Sequence, residues 1–242
     1  MDALTKAKND CNLSNTPFVH RRGRYFAKSF GISFGGGQVH PANFSQSKVD
    51  GAAWNKFRDT PEVEKLARWV DYLLKCHYPH VHSLYSNVLA DLCKIDPKLE
   101  RNFSGCCFAA STLNFERAVS VPHRDSKNLI CGECAVHSEG YFDYKRGGHL
   151  ILWDLKLAVE FPPGCTAIFP SALLRHSNAT IQADETRYSM TFFSASGLFR
   201  WRHNNYMSDK DFLAGASREQ RAQWKEHRDN LWKTGLELLK GL

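Results

Sequence analysis

From about residue 104 to residue 200 the chain is cut by turn residues into short runs rich in β-branched and aromatic side chains. They read CCFAASTLNF, AVSVPHRD, CAVHSEGYF, HLILWDL, AVEFP, CTAIFP, RHSNATI and RYSMTFFSA. Gly147-Gly148, Pro162-Pro163-Gly164 and the polar QADE segment at 182–185 supply the punctuation. Eight short strands at this spacing predict a β-sandwich or jelly roll.

Helices flank this β core, so the expected class is α+β. Thr60-Pro61 is a helix start, because Pro at the first helical position sacrifices no hydrogen bond. Val63, Leu66, Ala67, Val70, Leu73 and Leu74 follow helical spacing, and after Pro79 the pattern resumes from Val81 to Leu92. The reading is a helical layer over about 60–95, the β core over about 104–200 and a C-terminal helix over about 217–240. That last helix opens on a capping-box spacing from Ser217 to Gln220 and runs through Trp224, Leu231, Trp232, Leu236 and Leu239. Residues 1–20 are expected to form a flexible basic arm, and 21–242 a single domain, a length sufficient for one large core.

Composition narrows the partners. The first residues are polar and no apolar run approaches bilayer-crossing length, so no membrane is expected. Eight cysteines read as reduced thiols of an intracellular protein. The net charge is +7 and the excess is concentrated at the two ends: nine Lys/Arg against four Asp/Glu in residues 1–60, and nine against six in 200–242. This suits a polyanionic partner, and equally a solvated basic surface.

The chemistry-bearing residues lie in the β half. In VPHRD, His123 and Asp125 are two apart, so on extended backbone both point to one side. They offer two of the three ligands of the facial triad that holds Fe(II) with open positions; in a chain with 11 histidines, a chance surface pair is the alternative. A hairpin about QADE would pair Ile181 with Thr186 and His176 with Thr191. It would place His176, Asn178, Thr180, Arg187, Ser189, Thr191 and Phe193 on one face. Such a polar row suits a pocket for a metal and an anion, with Arg187 gripping a carboxylate beside the Ser189 hydroxyl. The competing reading is an outward-facing polar strand. CGEC at 131–134 and HYPHVH at 77–82 lack complete ligand sets and read as buried thiols and a helix junction. SFGGGQ at 33–38 allows close backbone approach to substrate or phosphate, or is a plain loop.

The order His-x-Asp, distant His, then Arg resembles the 2-oxoglutarate/Fe(II) dioxygenases with a double-stranded β-helix. More narrowly, PHRDSKN at 122–128 and the Arg-x-Ser of Arg187 and Ser189 are similar to the TET/JBP nucleic-acid base oxygenases, as is SFGISF at 29–34. The resemblance covers roughly residues 24–200. It implies a double-stranded β-helix (jelly-roll) core with flanking helices, and Fe(II) on His123, Asp125 and His176. It also implies 2-oxoglutarate on Arg187, Ser189 and His149, with O2 as the second co-substrate. Asn128, Phe193 and Asn178 would meet a flipped 5-methylcytosine, and Arg21, Arg22, Arg24 and Gln38 would contact the DNA. The implied protein is a nuclear, monomeric 5-methylcytosine dioxygenase. One departure stands out: where those enzymes carry a base-reading His after the Arg-x-Ser strand, this chain has Ala195. The same chemistry on N6-methyladenine, on RNA or on a protein is therefore the alternative, as is a non-catalytic DNA-binding module.

Overall fold

The computed structural model describes residues 1–14 and 16–240. In chain order the N-terminal part holds α1 (Asp2–Asp10), β1 (Val19–His20), β2 (Gly23–Arg24), β3 (Phe26–Ser33), β4 (Ala42–Asn43) and α2 (Lys48–Arg58). The long helices α3 (Pro61–His77) and α4 (Pro79–Ile95) follow. The β core comprises β5 (Ala110–Phe115), β6 (Cys134–Tyr141), β7 (Leu150–Leu152), β8 (Leu157–Val159), β9 (Thr166–Phe169), β10 (His176–Asn178) and β11 (Thr186–Phe193). Four helices end the chain: α5 (Ser196–His203), α6 (Asp209–Gly215), α7 (Arg218–Asp229) and α8 (Leu231–Leu238).

A six-stranded antiparallel sheet of order β4-β3-β5-β11-β6-β9 opposes a three-stranded sheet of order β10-β7-β8. This is a double-stranded β-helix with flanking helices. Strand periodicity explains how the large sheet serves two purposes at once. On β11, Tyr188, Met190 and Phe192 enter the core with Val63, Ala67, Val70 and Leu74 of α3. Arg187, Ser189, Thr191 and Phe193 point the opposite way and line a pocket. β5 does the same, with Leu113 and Phe115 toward the helices and Thr112 and Asn114 toward the pocket. Each fully buried Leu or Phe in that core contributes about 1.5–3 kcal/mol of transfer free energy, which makes the large sheet a firm platform.

The two helices begin at Pro61 and Pro79 as their sequence signals require. The Ser217–Gln220 capping box is complete, although the C-terminal helix breaks at Asn230 into α7 and α8. Three expectations fail. Residues 2–10 are not part of a flexible arm: α1 buries Leu4 and Ala7 in the core, under amphipathic spacing too short to be distinctive in a polar segment. The AVSVPHRD run forms no strand and touches its neighbours through isolated bridges such as His123 with His176.

The third failure is the hairpin about QADE. β10 pairs with β7 in the small sheet, and β11 pairs with β5 and β6 in the large one. Residues 179–185 are a crossing between sheets. Arg117 holds that crossing open by donating from Nη1 to the carbonyls of Gln182, Ala183 and Glu185 at 2.9–3.1 Å. The face assignment nevertheless survives, because the inner faces of both sheets look into the same space. Asn178 and Ser189 line one pocket from opposite walls.

Candidate metal centre

His123 and His176 come from a loop and from the first residue of β10, and the backbone ties them together. Each N–H donates to the other's carbonyl, at 3.0 and 2.9 Å. The two rings lie 4.3 Å apart between centroids. The same device orients both imidazoles: Nδ1 of His123 lies 2.8 Å from the Val121 carbonyl, and Nδ1 of His176 lies 2.9 Å from that of Leu174. A carbonyl can only accept, so Nδ1 carries the proton and each Nε2 keeps a free lone pair. Those Nε2 atoms stand 3.7 and 3.9 Å from the two Asp125 oxygens. The ligand atoms of His123, Asp125 and His176 all fall within 4.8 Å of one another. Burial lowers the His123 pKa to about 4 and also holds His176 below its usual value. Both rings are thus neutral at pH 7, the form that binds a metal.

Asp125 is positioned by its backbone, which donates to the Ser171 carbonyl at 2.9 Å and accepts from Asn128 N–H at 2.8 Å. Its Oδ1 also accepts from Arg22. Arg22 was expected on the outer surface against DNA; it instead lines the pocket beside the triad. The β1–β2 pairing aims it there, with His20 opposite Gly23 and Arg22 between them, a register that its sequence neighbours do not announce.

Across the pocket, Arg187 is only 1% exposed. One nitrogen, Nη1, donates to the Ala118 carbonyl, while Nε and Nη2 have no partner. Phe142 and Phe161 rings lie 5.9 and 5.6 Å from the guanidinium carbon. Burial lowers its pKa to about 10, so the group stays charged at neutral pH. Among the described residues no carboxylate pairs with it. A buried cation with two free donors, walled by aromatic rings, has the chemistry to accept a carboxylate. Gly140 faces Arg187 across the β6–β11 ladder, and a Cβ there would come within 2.2 Å of the Thr186 carbonyl. Glycine is what lets the strands close at this point. Ser189 lies one step up the same face, its Oγ accepting from Asn114 at 3.0 Å.

The other residues singled out in the sequence divide between pocket and surface. Asn128, Asn178 and Phe193 line the pocket. The Asn128 amide reaches Cys134 Sγ at 3.0 Å and Ser171 Oγ at 3.2 Å, and its backbone bridges to Ala195. His149, one residue before β7, is absent from the lining, whereas Leu150 is part of it. What His149 contributes is its carbonyl, which accepts from Ala179 N–H at 3.0 Å. Arg21, Arg24 and Gln38 are exposed and lie outside the pocket. Sequence reasoning missed Tyr25, Phe161 and Phe169 as wall residues, since none sits in a motif and each reaches the pocket only through the fold.

No family model matches the sequence, and no curated protein matches it. Solved structures do resemble it. NgTET1 in complex with 5mC DNA is 18% identical over 71% of this chain, with a TM-score of 0.55. The chain spans 61% of the length of that structure. Slighter likenesses are a 2OG-Fe(II) oxygenase family oxidoreductase from Burkholderia pseudomallei, 15% identical over 79% of this chain and 77% of that one (TM-score 0.41), and a prolyl-4-hydroxylase from Pseudomonas putida, 14% identical over 79% and 85% (TM-score 0.35). With NgTET1 this chain shares its fold; in this chain the two sheets bring a His/Asp/His cluster and a buried arginine to one pocket.

Proposed function

We propose that the protein is an Fe(II)- and 2-oxoglutarate-dependent dioxygenase that oxidises 5-methylcytosine in DNA to 5-hydroxymethylcytosine. One observation carries the oxygenase reading: a His/Asp/His cluster with neutral imidazoles and an unpaired, buried Arg187 share one pocket. The cluster has the donor set of a facial triad, and the guanidinium supplies what the far carboxylate of a dicarboxylate needs. When bound, Fe(II) with 2-oxoglutarate and O2 supplies oxidative hydroxylation of a C–H bond, with the co-substrate leaving as succinate and CO2.

The chain's own residues would do the rest. His123, Asp125 and His176 hold the metal through Nε2, a carboxylate oxygen and Nε2. Arg187 and the Ser189 hydroxyl take the distal carboxylate, while Phe142 and Phe161 keep water from the ion pair and so strengthen it. Phe193, at the end of β11, offers an aromatic face on which a base can stack. Asn128, fixed by Cys134 and Ser171, stands beside it at the pocket wall. A base inside a duplex cannot reach this pocket without leaving the stack, so the enzyme would act on a flipped nucleotide. Support for cytosine comes from the PHRDSKN motif, from the 5mC DNA bound by the structurally similar NgTET1, and from the basic excess at both chain ends.

The test is nucleoside mass spectrometry of 5-methylcytosine DNA incubated with protein, Fe(II), ascorbate and 2-oxoglutarate. The expected result is 5-hydroxymethylcytosine, lost in Asp125→Ala protein that keeps its fold. Succinate without oxidised cytosine would retain the oxygenase and move the substrate to N6-methyladenine, RNA or a protein side chain. Absence of succinate with all of these substrates would leave only a binding role.

A further inference from the structure

On the helix-facing side of the large sheet, three side chains from distant parts of the sequence meet. Asp71 lies in the middle of α3, His82 in the first turn of α4, and Cys107 three residues before β5. His82 Nε2 is 3.1 Å from both oxygens of Asp71. The ligand atoms of all three fall within 4.8 Å of one another, the same closeness as in the His/Asp/His cluster. These are the two such groups among the described residues. None of Asp71, His82 and Cys107 lines the pocket of the proposed active site.

We infer that Asp71, His82 and Cys107 form a second metal site, taking Zn2+ and fastening α3 and α4 to the chain segment that enters β5. The donor types set the metal. A thiolate, an imidazole and a carboxylate form a borderline-soft set that suits Zn2+, whereas the all-N/O cluster in the pocket is the set for Fe(II). Tetrahedral zinc with bonds of about 2.0–2.3 Å holds its ligand atoms about 3.3–3.8 Å apart, and the three ligand atoms here lie within 4.8 Å of one another. The surroundings also fit. Cys107 N–H donates to Asp71 Oδ1 at 2.8 Å, which steers the carboxylate as outer hydrogen bonds do at metal sites. Cys107 is 3% exposed, and the Asp71 and His82 side chains reach the surface, leaving a fourth position for water.

A divalent ion would take Cys107 as the thiolate and release the thiol proton to solvent on binding. This also gives a role to the last histidine of HYPHVH, which reads from the sequence as a bare helix junction. His80 of that segment is exposed and outside the cluster; the helical geometry of α4 selects His82.

The experiment uses the full chain, stripped with a chelator and titrated with Co2+ as a spectroscopic stand-in for zinc. Asp125→Ala serves as the background that removes the pocket cluster. In that background one equivalent of Co2+ should bind with a thiolate-to-cobalt charge-transfer band in the near ultraviolet. Band and equivalent should both vanish in Cys107→Ser, and Zn2+ affinity should fall by more than about 100-fold in His82→Ala. His82→Ala guards against a folding defect of the cysteine variant, with circular dichroism as the check. An absent charge-transfer band in the Asp125→Ala background, or a band that survives in both Cys107→Ser and His82→Ala, overturns the inference. The readout is metal binding at the helices and not turnover, so its failure leaves the proposed function untouched.

Discussion

The two sheets that face each other across the pocket are built to different standards. The large sheet holds Arg187 and Ser189 on its eight-residue β11, hydrogen-bonded on both sides by β5 and β6 and backed by the helix-side core. The small sheet has three strands of three residues each, and every residue of its edge strand β8 is exposed. His176 belongs to that small sheet, and His123 and Asp125 hang from loop backbone beside it. Under the proposed function the anion site is therefore pre-formed, while the metal side relies on a handful of bonds that a bound ion would reinforce. On that reading, rigidity sits where the co-substrate needs a fixed anchor, and compliance where ligands must close around a metal.

Breaking the compliant side should cost most. His176→Ala removes a ligand, and turnover should fall well beyond the roughly 100-fold typical of an outer hydrogen bond at a metal site. Single-turnover kinetics at saturating Fe(II) checks this, and activity within tenfold of wild type would remove His176 from the metal. On the rigid side, Arg187→Met should raise the KM for 2-oxoglutarate by about 100-fold or more, the scale of losing one partner of a buried ion pair. Because the same change removes an unpaired buried charge, thermal stability without co-substrate should hold or rise. A large drop in Tm would mean that Arg187 is structural.

The difference in compliance has its own measurement. Hydrogen exchange on adding Mn2+ as a redox-inert stand-in should slow in Leu150–Leu152 and His176–Asn178 far more than in Met190–Phe192. Equal protection of both sheets would contradict the comparison. The smallest effect concerns Glu133, directly before β6, whose buried Oε2 has no partner. Burial pushes its pKa up to about 7 from an ordinary 4.5. The folded state then holds a proton that the unfolded chain releases, so stability is full below pH 4.5 and declines as pH rises toward 7. Glu133→Gln should flatten that decline by about 1–3 kcal/mol in urea unfolding across pH 4.5 to 8. An unchanged slope would assign the pH dependence elsewhere.

Much of this was legible in one dimension. Helix starts at Pro61 and Pro79, the capping box at Ser217, and the alternation along β11 are local signals, set by backbone stereochemistry and hydrophobic period alone. The side-chain types of the metal cluster were equally plain, because His-x-Asp on extended backbone is a short-range pattern. Strand pairing was not. The runs RHSNATI and RYSMTFFSA look like one hairpin, yet they lie in different sheets, β10 on β7 and β11 between β5 and β6. α1 was hidden as well, since a nine-residue polar helix is fixed by the groove that accepts Leu4 and Ala7, and not by its own propensity.

By itself, then, the sequence determined the class of elements, the inward face of β11 and the donor chemistry of the pocket. The tertiary structure alone decided which neighbours each residue meets. It placed Arg22 against Asp125, left His149 out of the pocket lining, and gathered Asp71, His82 and Cys107 into one cluster. The physical reason is range: periodicity and capping act over a few residues, whereas these contacts join positions as far as 103 and 36 residues apart. Packing of the whole core selects among such pairings, and no local pattern records the choice.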